Sequence, residues 1–193
     1  RVLFRSSMYY KKILAAALTV SCIGGIVPAN SVQAASLKIR YSGKTRYYKG
    51  KQLHVSYANK NLSSKYVGIQ INKVNMIPYY DYLVKQGPKV KRTYSKSSGK
   101  LILKNGDDTL TAYVGKRTYY LNGVKKTFSV APTKVKYYKT KKTIILIPAN
   151  AIVKGLGLNY KYSSSSKRIY ITQPVIPSDS TTQIGRASCR ERV

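Results

Sequence analysis

Most of the side chains in this sequence that could do chemistry are cations. Among 193 residues there are 36 Lys and Arg, five Asp and Glu, and one His. Lys134, Lys136, Lys139, Lys141 and Lys142 form a dense group, with Tyr137 and Tyr138 set among them. Ammonium groups beside aromatic rings suit the capture of a polyanion. The charges attract over a Debye length, about 8 Å at physiological salt. The rings can stack on a sugar or a base, or cover the aliphatic stems of lysines. These seven residues are the expected polyanion-binding site.

Other chemistries lack their residues. Imidazole is a common ligand of copper, but His54 stands alone, so neither a metal nor a cofactor is expected. Acid–base work on a glycoside needs two opposed carboxylates. Asp107 and Asp108 flank a turn, Asp81 lies where a helix begins, and Asp179 is in a Pro/Ser/Thr-rich tract. A Ser–His–Asp arrangement would again depend on His54. Gly155-Leu156-Gly157 is explained as a helix end and makes weak phosphate-loop material. No catalytic residue, and no enzyme, is expected.

The two ends are set aside before any element is read. Residues 1–7 and 184–193 resemble translated sequencing-adapter reads. Residues 8–34 read as a secretory signal: Lys11 and Lys12, an apolar run from Ile13, then Val32-Gln33-Ala34 as a cleavage site. The apolar run is shorter than the roughly 20 residues of a membrane span, so no transmembrane segment is expected after cleavage. Seven of the basic residues and one acid lie outside Ala35–Gln183, leaving 29 and four, a net charge of +25 without cysteine. Residues 173–183, rich in Pro, Ser and Thr, read as a linker.

Period-two alternation marks strands at Lys38-Ile39-Arg40-Tyr41, Gln52-Leu53-His54-Val55-Ser56 and Lys134-Val135-Lys136-Tyr137. Asn105-Gly106 and Asn122-Gly123 signal hairpins, because a type I′ turn needs positive φ at both central residues. Two segments open with Ile-Pro and close with Gly: Ile77-Pro78 to Gly87, and Ile147-Pro148 to Gly157. Each predicts a helix of about two turns, started by Pro and capped by Gly. Such short helices hold only when packed on a sheet. These segments align without a gap, and flanking matches extend them into an internal repeat of about 70 residues. The expected fold class is α+β: two repeats, 37–105 and 106–172, of a twisted antiparallel sheet, each with one short packed helix. A strand of one repeat can complete the sheet of the other. In the Tyr pairs, such as Tyr119-Tyr120 and Tyr137-Tyr138, one ring is expected inside and its neighbour outside.

The run from Asn122-Gly123 through Ala131-Pro132, Thr143-Ile144-Ile145-Leu146-Ile147-Pro148, Gly155-Leu156-Gly157 and Tyr160-Lys161-Tyr162-Ser163 to Arg168-Ile169-Tyr170-Ile171 resembles the copper amine oxidase N-terminal domain, or stalk domain. The first repeat resembles it more loosely, so the likeness spans about Leu37 to Thr172. The resemblance implies a small antiparallel sheet wrapped on a helix. It further implies an accessory module without oxidase chemistry, carried by exported bacterial proteins of Gram-positive type. Together with the charge, this leads to a secreted or wall-associated stalk or spacer as the expected function. Its expected partners are anionic wall polymers or acidic polysaccharides. One rival is the N-terminal region of a truncated wall-directed enzyme such as a peptidoglycan hydrolase. The other is a basic, Tyr-rich nucleic-acid-binding sheet, which the signal peptide disfavours.

Overall fold

A computed structural model describes residues 36–174. The expected adapter segments, the signal peptide and all but the first two linker residues lie outside the described residues.

Alternating and continuous apolar runs sort the strands into edges and centre. Thr143-Ile144-Ile145-Leu146-Ile147 is apolar without alternation, which suits a strand covered on both faces. It forms β13 (Lys142–Pro148), near the middle of a six-stranded antiparallel sheet. The order there is β2 (Lys44–Tyr48), β1 (Leu37–Tyr41), β12 (Thr133–Tyr137), β13, β6 (Val74–Pro78) and β5 (Ile69–Ile71). A five-stranded sheet runs β11 (Val124–Thr127), β10 (Thr118–Leu121), β9 (Asp108–Tyr113), β8 (Lys100–Asn105) and β7 (Lys91–Tyr94). The third sheet runs β14 (Asn159–Ser163), β15 (Arg168–Thr172), β3 (His54–Tyr57) and β4 (Lys60–Leu62), with β15 and β3 parallel.

The protein is mainly sheet, with little helix, rather than an even α+β mixture. Among the described residues its helices are α1 (Ala149–Gly155) and a π-helical segment, Tyr80–Gln86, each seven residues long. Pro148 sits at the N-cap of α1 with φ −68°, one position before the expected one. At its other end Gly157 has φ +70°. Gly157 N donates to Lys154 O and Leu158 N to Val153 O, both at 3.1 Å. These two bonds form a Schellman closure, which requires the left-handed residue that Gly supplies. Gly87 works differently from its expected cap role. Its φ is −79°, and what it supplies is space: a Cβ there would meet Tyr82 O at 2.1 Å.

The aligned Ile-Pro segments meet. Ile147 is the direct cross-strand partner of Ile77, and the helices follow from opposite ends of this ladder. The boundary expected at 105/106 falls inside the β8–β9 hairpin, where Asn105 pairs with Asp108. Residues 37–105 and 106–172 also share all three sheets. The third sheet joins β14 and β15 to β3 and β4, and the second joins β7 and β8 to β9, β10 and β11. Neither half covers its own apolar surface. The main core draws on both: Leu53, Val55, Leu83 and Leu103 pack in one cluster with Leu110, Ile147, Ile152, Val153 and Ile169. A second core, including Ile39, Ile69, Met76, Val135 and Leu146, lies on the other face of the six-stranded sheet.

The helix residues expected to pack do so. Leu83, Ile152, Val153 and Leu156 are fully buried, and Val84 is half-buried against the same cluster. Each such burial contributes about 1.5–3 kcal/mol. Two inner tyrosines join the cores as well. Burial, reinforced by the charge of Asp81, pushes the Tyr82 phenol up to about 12. Burial raises Tyr137 further, and its Oη donates to Val67 O at 2.6 Å.

Two outcomes follow from this packing. Ile152→Asp buries an unpaired charge and should cost more than about 4 kcal/mol. Because the core is shared, circular dichroism should show residues 36–174 lost together. Lys154→Asp, on the exposed face, should cost less than about 1 kcal/mol, the scale of a charge at a helix end. Phenols whose folded pKa is raised stabilise the fold fully below pH about 10, and that contribution fades as pH rises through the folded pKa. Stability should therefore fall between pH about 10 and about 12, and Tyr82→Phe should flatten that fall in alkaline denaturant titrations.

Candidate functional site

The alternation Lys38-Ile39-Arg40 places Ile39 in the second core and both cations on the opposite face. β12 repeats the pattern: Val135 and Tyr137 are buried, while Lys134 and Lys136 are exposed. β1 lies between β12 and β2, with Arg40 opposite Lys136 on one side and opposite Thr45 on the other. Lys38 is opposite Tyr47. Lys38, Arg40, Thr45, Tyr47, Lys134 and Lys136 thus share one outward face of three neighbouring strands. Tyr138 extends that face beyond β12, its backbone N–H bonded to Lys38 O at 3.1 Å.

Tyr138 organises the patch. Lys38 Nζ lies 5.1 Å from its ring centroid and Lys136 Nζ lies 5.5 Å away. Lys38 Nζ is also 5.4 Å from the centroid of Tyr47, which is 59% exposed. Each such contact contributes about 0.5–1 kcal/mol at an exposed site. The Tyr138 Oη is hydrogen-bonded to Thr45 Oγ1 at 3.0 Å. That bond, followed by the charges of Lys136, Arg40 and Lys38, lowers the phenol below its ordinary value. Lys134 also lines an open cleft of about 670 Å3 with Lys96, Ser97, Ser98 and Thr133.

The expected site is only partly brought together. Lys134, Lys136 and Tyr138 share the face. Lys139 and Lys141 lie at the β12–β13 turn, where Lys141 has φ +56°. Lys142 pairs with Tyr137, which puts it on the opposite side of the sheet. Tyr137 is a correction: at 2% exposure it is a core residue and meets no ligand. Its partner on β1 is the core residue Ile39, and alternation sets it on the same face as the buried Val135. Lys38, Arg40, Thr45 and Tyr47 were missed because they lie 91 to 100 residues from Tyr138 in sequence. Alternation made Lys38 and Arg40 outward, but only the β1–β12 pairing makes them neighbours.

The other candidates fall elsewhere. His54 is exposed on β3. Among the described residues there is no group of three His, Cys, Asp or Glu able to hold a metal. Asp81 accepts from Ser64 Oγ, Asp108 accepts from Asn122 Nδ2 at 2.9 Å, and Asp107 is exposed at the β8–β9 turn. Among the described residues no helix is long and apolar enough to cross a membrane.

A family model described as the copper amine oxidase N-terminal domain matches residues 58–171. The match starts later than Leu37, so β1 and β2 precede it. No curated protein and no solved structure matches the chain.

The lowered phenol gives the patch a spectroscopic signature. In a phenolate absorbance titration, Tyr138 should ionise below the ordinary phenol value, and Tyr138→Phe should remove that contribution. Raised salt should move it upward, since part of the shift is the field of three cations.

Proposed function

The chain belongs to the copper amine oxidase N-terminal domain family, and on that premise we propose that it is an accessory module that attaches an exported protein to anionic wall polymers. The family's domain is non-catalytic, and the work left to such a module is positional. We read the aligned Ile-Pro segments as two copies of one unit, exchanged so that each completes the other's sheet. The product is one shared core with a basic face. Its setting is the cell wall or cell surface, where acidic polysaccharides and phosphate-bearing polymers are the abundant polyanions.

The observation that carries this reading is the clustering of Lys38, Arg40 and Lys136 around Tyr138, on a face that Lys134 shares. An aromatic face orients an ammonium group without cancelling its charge, whereas a carboxylate would do both. The patch therefore keeps its field while its cations are held in place. Such a field captures a flexible polyanion with little demand on sequence or stereochemistry.

The exposed Tyr47 also supports a second reading, because basic sheets with outward aromatic rings bind single-stranded nucleic acid by stacking. Both readings meet one experiment. The full chain should sediment with purified Gram-positive walls at low salt and be released as salt rises. Lys38→Gln and Lys136→Gln should each weaken attachment by about fivefold, taking about 1 kcal/mol per basic group near an anionic surface. Attachment indifferent to salt defeats the charge mechanism. Release by single-stranded DNA at lower concentration than by wall polymer would transfer the site to nucleic acid.

A further inference from the structure

A recess of about 330 Å3 lies where α1 meets β14 and the β5–β6 turn, far in chemistry from the basic face. Its walls include Asn75, Asn150, Ala151, Tyr160 and Tyr162, with Lys73 from the turn. Tyr160 and Tyr162 are two apart on β14, so strand alternation puts both rings on the same side. The volume is at the low end for small-molecule pockets, which suits one sugar ring.

The polar groups there are held in advance. Gln70 Nε2 donates to Asn75 Oδ1 and Asn75 Nδ2 donates to Tyr160 Oη, both at 2.8 Å. Gln70 is itself fixed, its backbone N–H donating to Tyr48 Oη at 2.8 Å. Tyr160 Oη thus accepts from the amide and retains its own hydrogen to donate. Behind it, Tyr162 Oη is buried and, among the described residues, is the one such side-chain oxygen or nitrogen without a hydrogen-bond partner. Leaving a buried hydroxyl unpaired is costly, and such exceptions in a folded protein call for a reason.

We propose that this recess binds one acetamido sugar unit, with Tyr160 and Tyr162 giving hydroxyl contacts and Asn150 meeting the amide. Two tyrosine rings offer apolar faces to the sugar's C–H groups. Ala151 and Val74 provide the small apolar wall that an acetyl methyl needs. No carboxylate lines the recess, and Lys73 tolerates an acidic substituent on the sugar. Tyr162 Oη is covered by protein, so it gains a ligand oxygen beside Tyr160 as its partner when the side chain shifts toward the recess. The site shares no residue with the basic face and does not depend on that face's function.

The test is an amide NMR titration of the full chain with the tetramer of N-acetylglucosamine. Resonances of Asn75, Asn150, Tyr160 and Tyr162 should shift, with an affinity that salt leaves unchanged. Tyr162→Phe keeps the ring and removes the orphan hydroxyl. It should weaken binding by about fivefold while the melting temperature stays level or rises. The Lys38→Gln and Lys136→Gln variants should bind the tetramer as the parent does, which separates failure here from failure of the basic-face reading. Absence of shifts, or unchanged affinity in Tyr162→Phe, overturns the proposal. Equal binding of cellotetraose overturns the assignment to acetamido sugars.

Discussion

Ile77 and Ile147 face one another across the β6–β13 ladder, both fully buried, and the three sheets are organised around that seam. On one side these two residues enter the main core, while their neighbours Met76 and Leu146 enter the second core on the other side. A strand pair buried on both faces has no place for a charge, and Met76-Ile77 and Leu146-Ile147 are apolar throughout. Beyond the seam each strand reaches a proline and turns into a short helix. Neither helix could persist alone at seven residues; each is held by the apolar side it lays on the shared core. The strands that follow, β7–β8 and β14–β15, then find partners in the other half of the chain.

With the centre closed to charge, the 29 basic residues among the described ones must be managed at the surface, and there are too few acids to pair them. Among the described residues the buried polar side chain is Ser56, and no Lys or Arg is buried. Tyrosine takes the role that carboxylates usually have. Arg46 lies over Tyr41, Arg92 over Tyr80 and Lys116 over Tyr113, besides the contacts at Tyr138. The tyrosine pairs divide this work. Tyr79, Tyr119 and Tyr137 are buried, while Tyr80, Tyr120 and Tyr138 reach the surface. The inner ring fills core volume, and at Tyr80 and Tyr138 the outer ring orients cations. The outward field is kept because a quadrupole does not neutralise a charge.

Local features were legible in the sequence and long-range partners were not. The Asn122-Gly123 turn has φ +49° and +82°, the pair of positive values expected of it. At Asn105-Gly106 the hairpin exists, but its central residues are Gly106 and Asp107. Asn105 is freed to donate from Nδ2 to Leu156 O at 2.7 Å, binding β8 to the end of α1. Further two-residue turns at Ala58-Asn59 and Asn72-Lys73 have the same left-handed pair without glycine, so no dipeptide signal marked them. The parallel pairing of β15 with β3 joins segments over 110 residues apart, and periodicity carries nothing about partners. Alternation therefore assigned Lys136 and Ile39 to their faces but could not set β1 beside β12, and the site was read as one dense group in sequence when it draws on three strands.

The family match begins at residue 58, so it includes β12 but not β1 or β2. Lys136 and Tyr138 come from the shared module, whereas Lys38, Arg40, Thr45 and Tyr47 come from strands laid along its margin. Without β1, β12 would be an edge strand with unpaired backbone groups, open to pairing with another chain. Adding β1 satisfies those groups, and Ile39 extends the second core beneath them. Strand alternation then leaves Lys38 and Arg40 no face but the outer one. Closing the edge and assembling the cation cluster are thus one structural event. The same pairing that protects the sheet brings cations 98 residues apart in sequence to a single tyrosine ring.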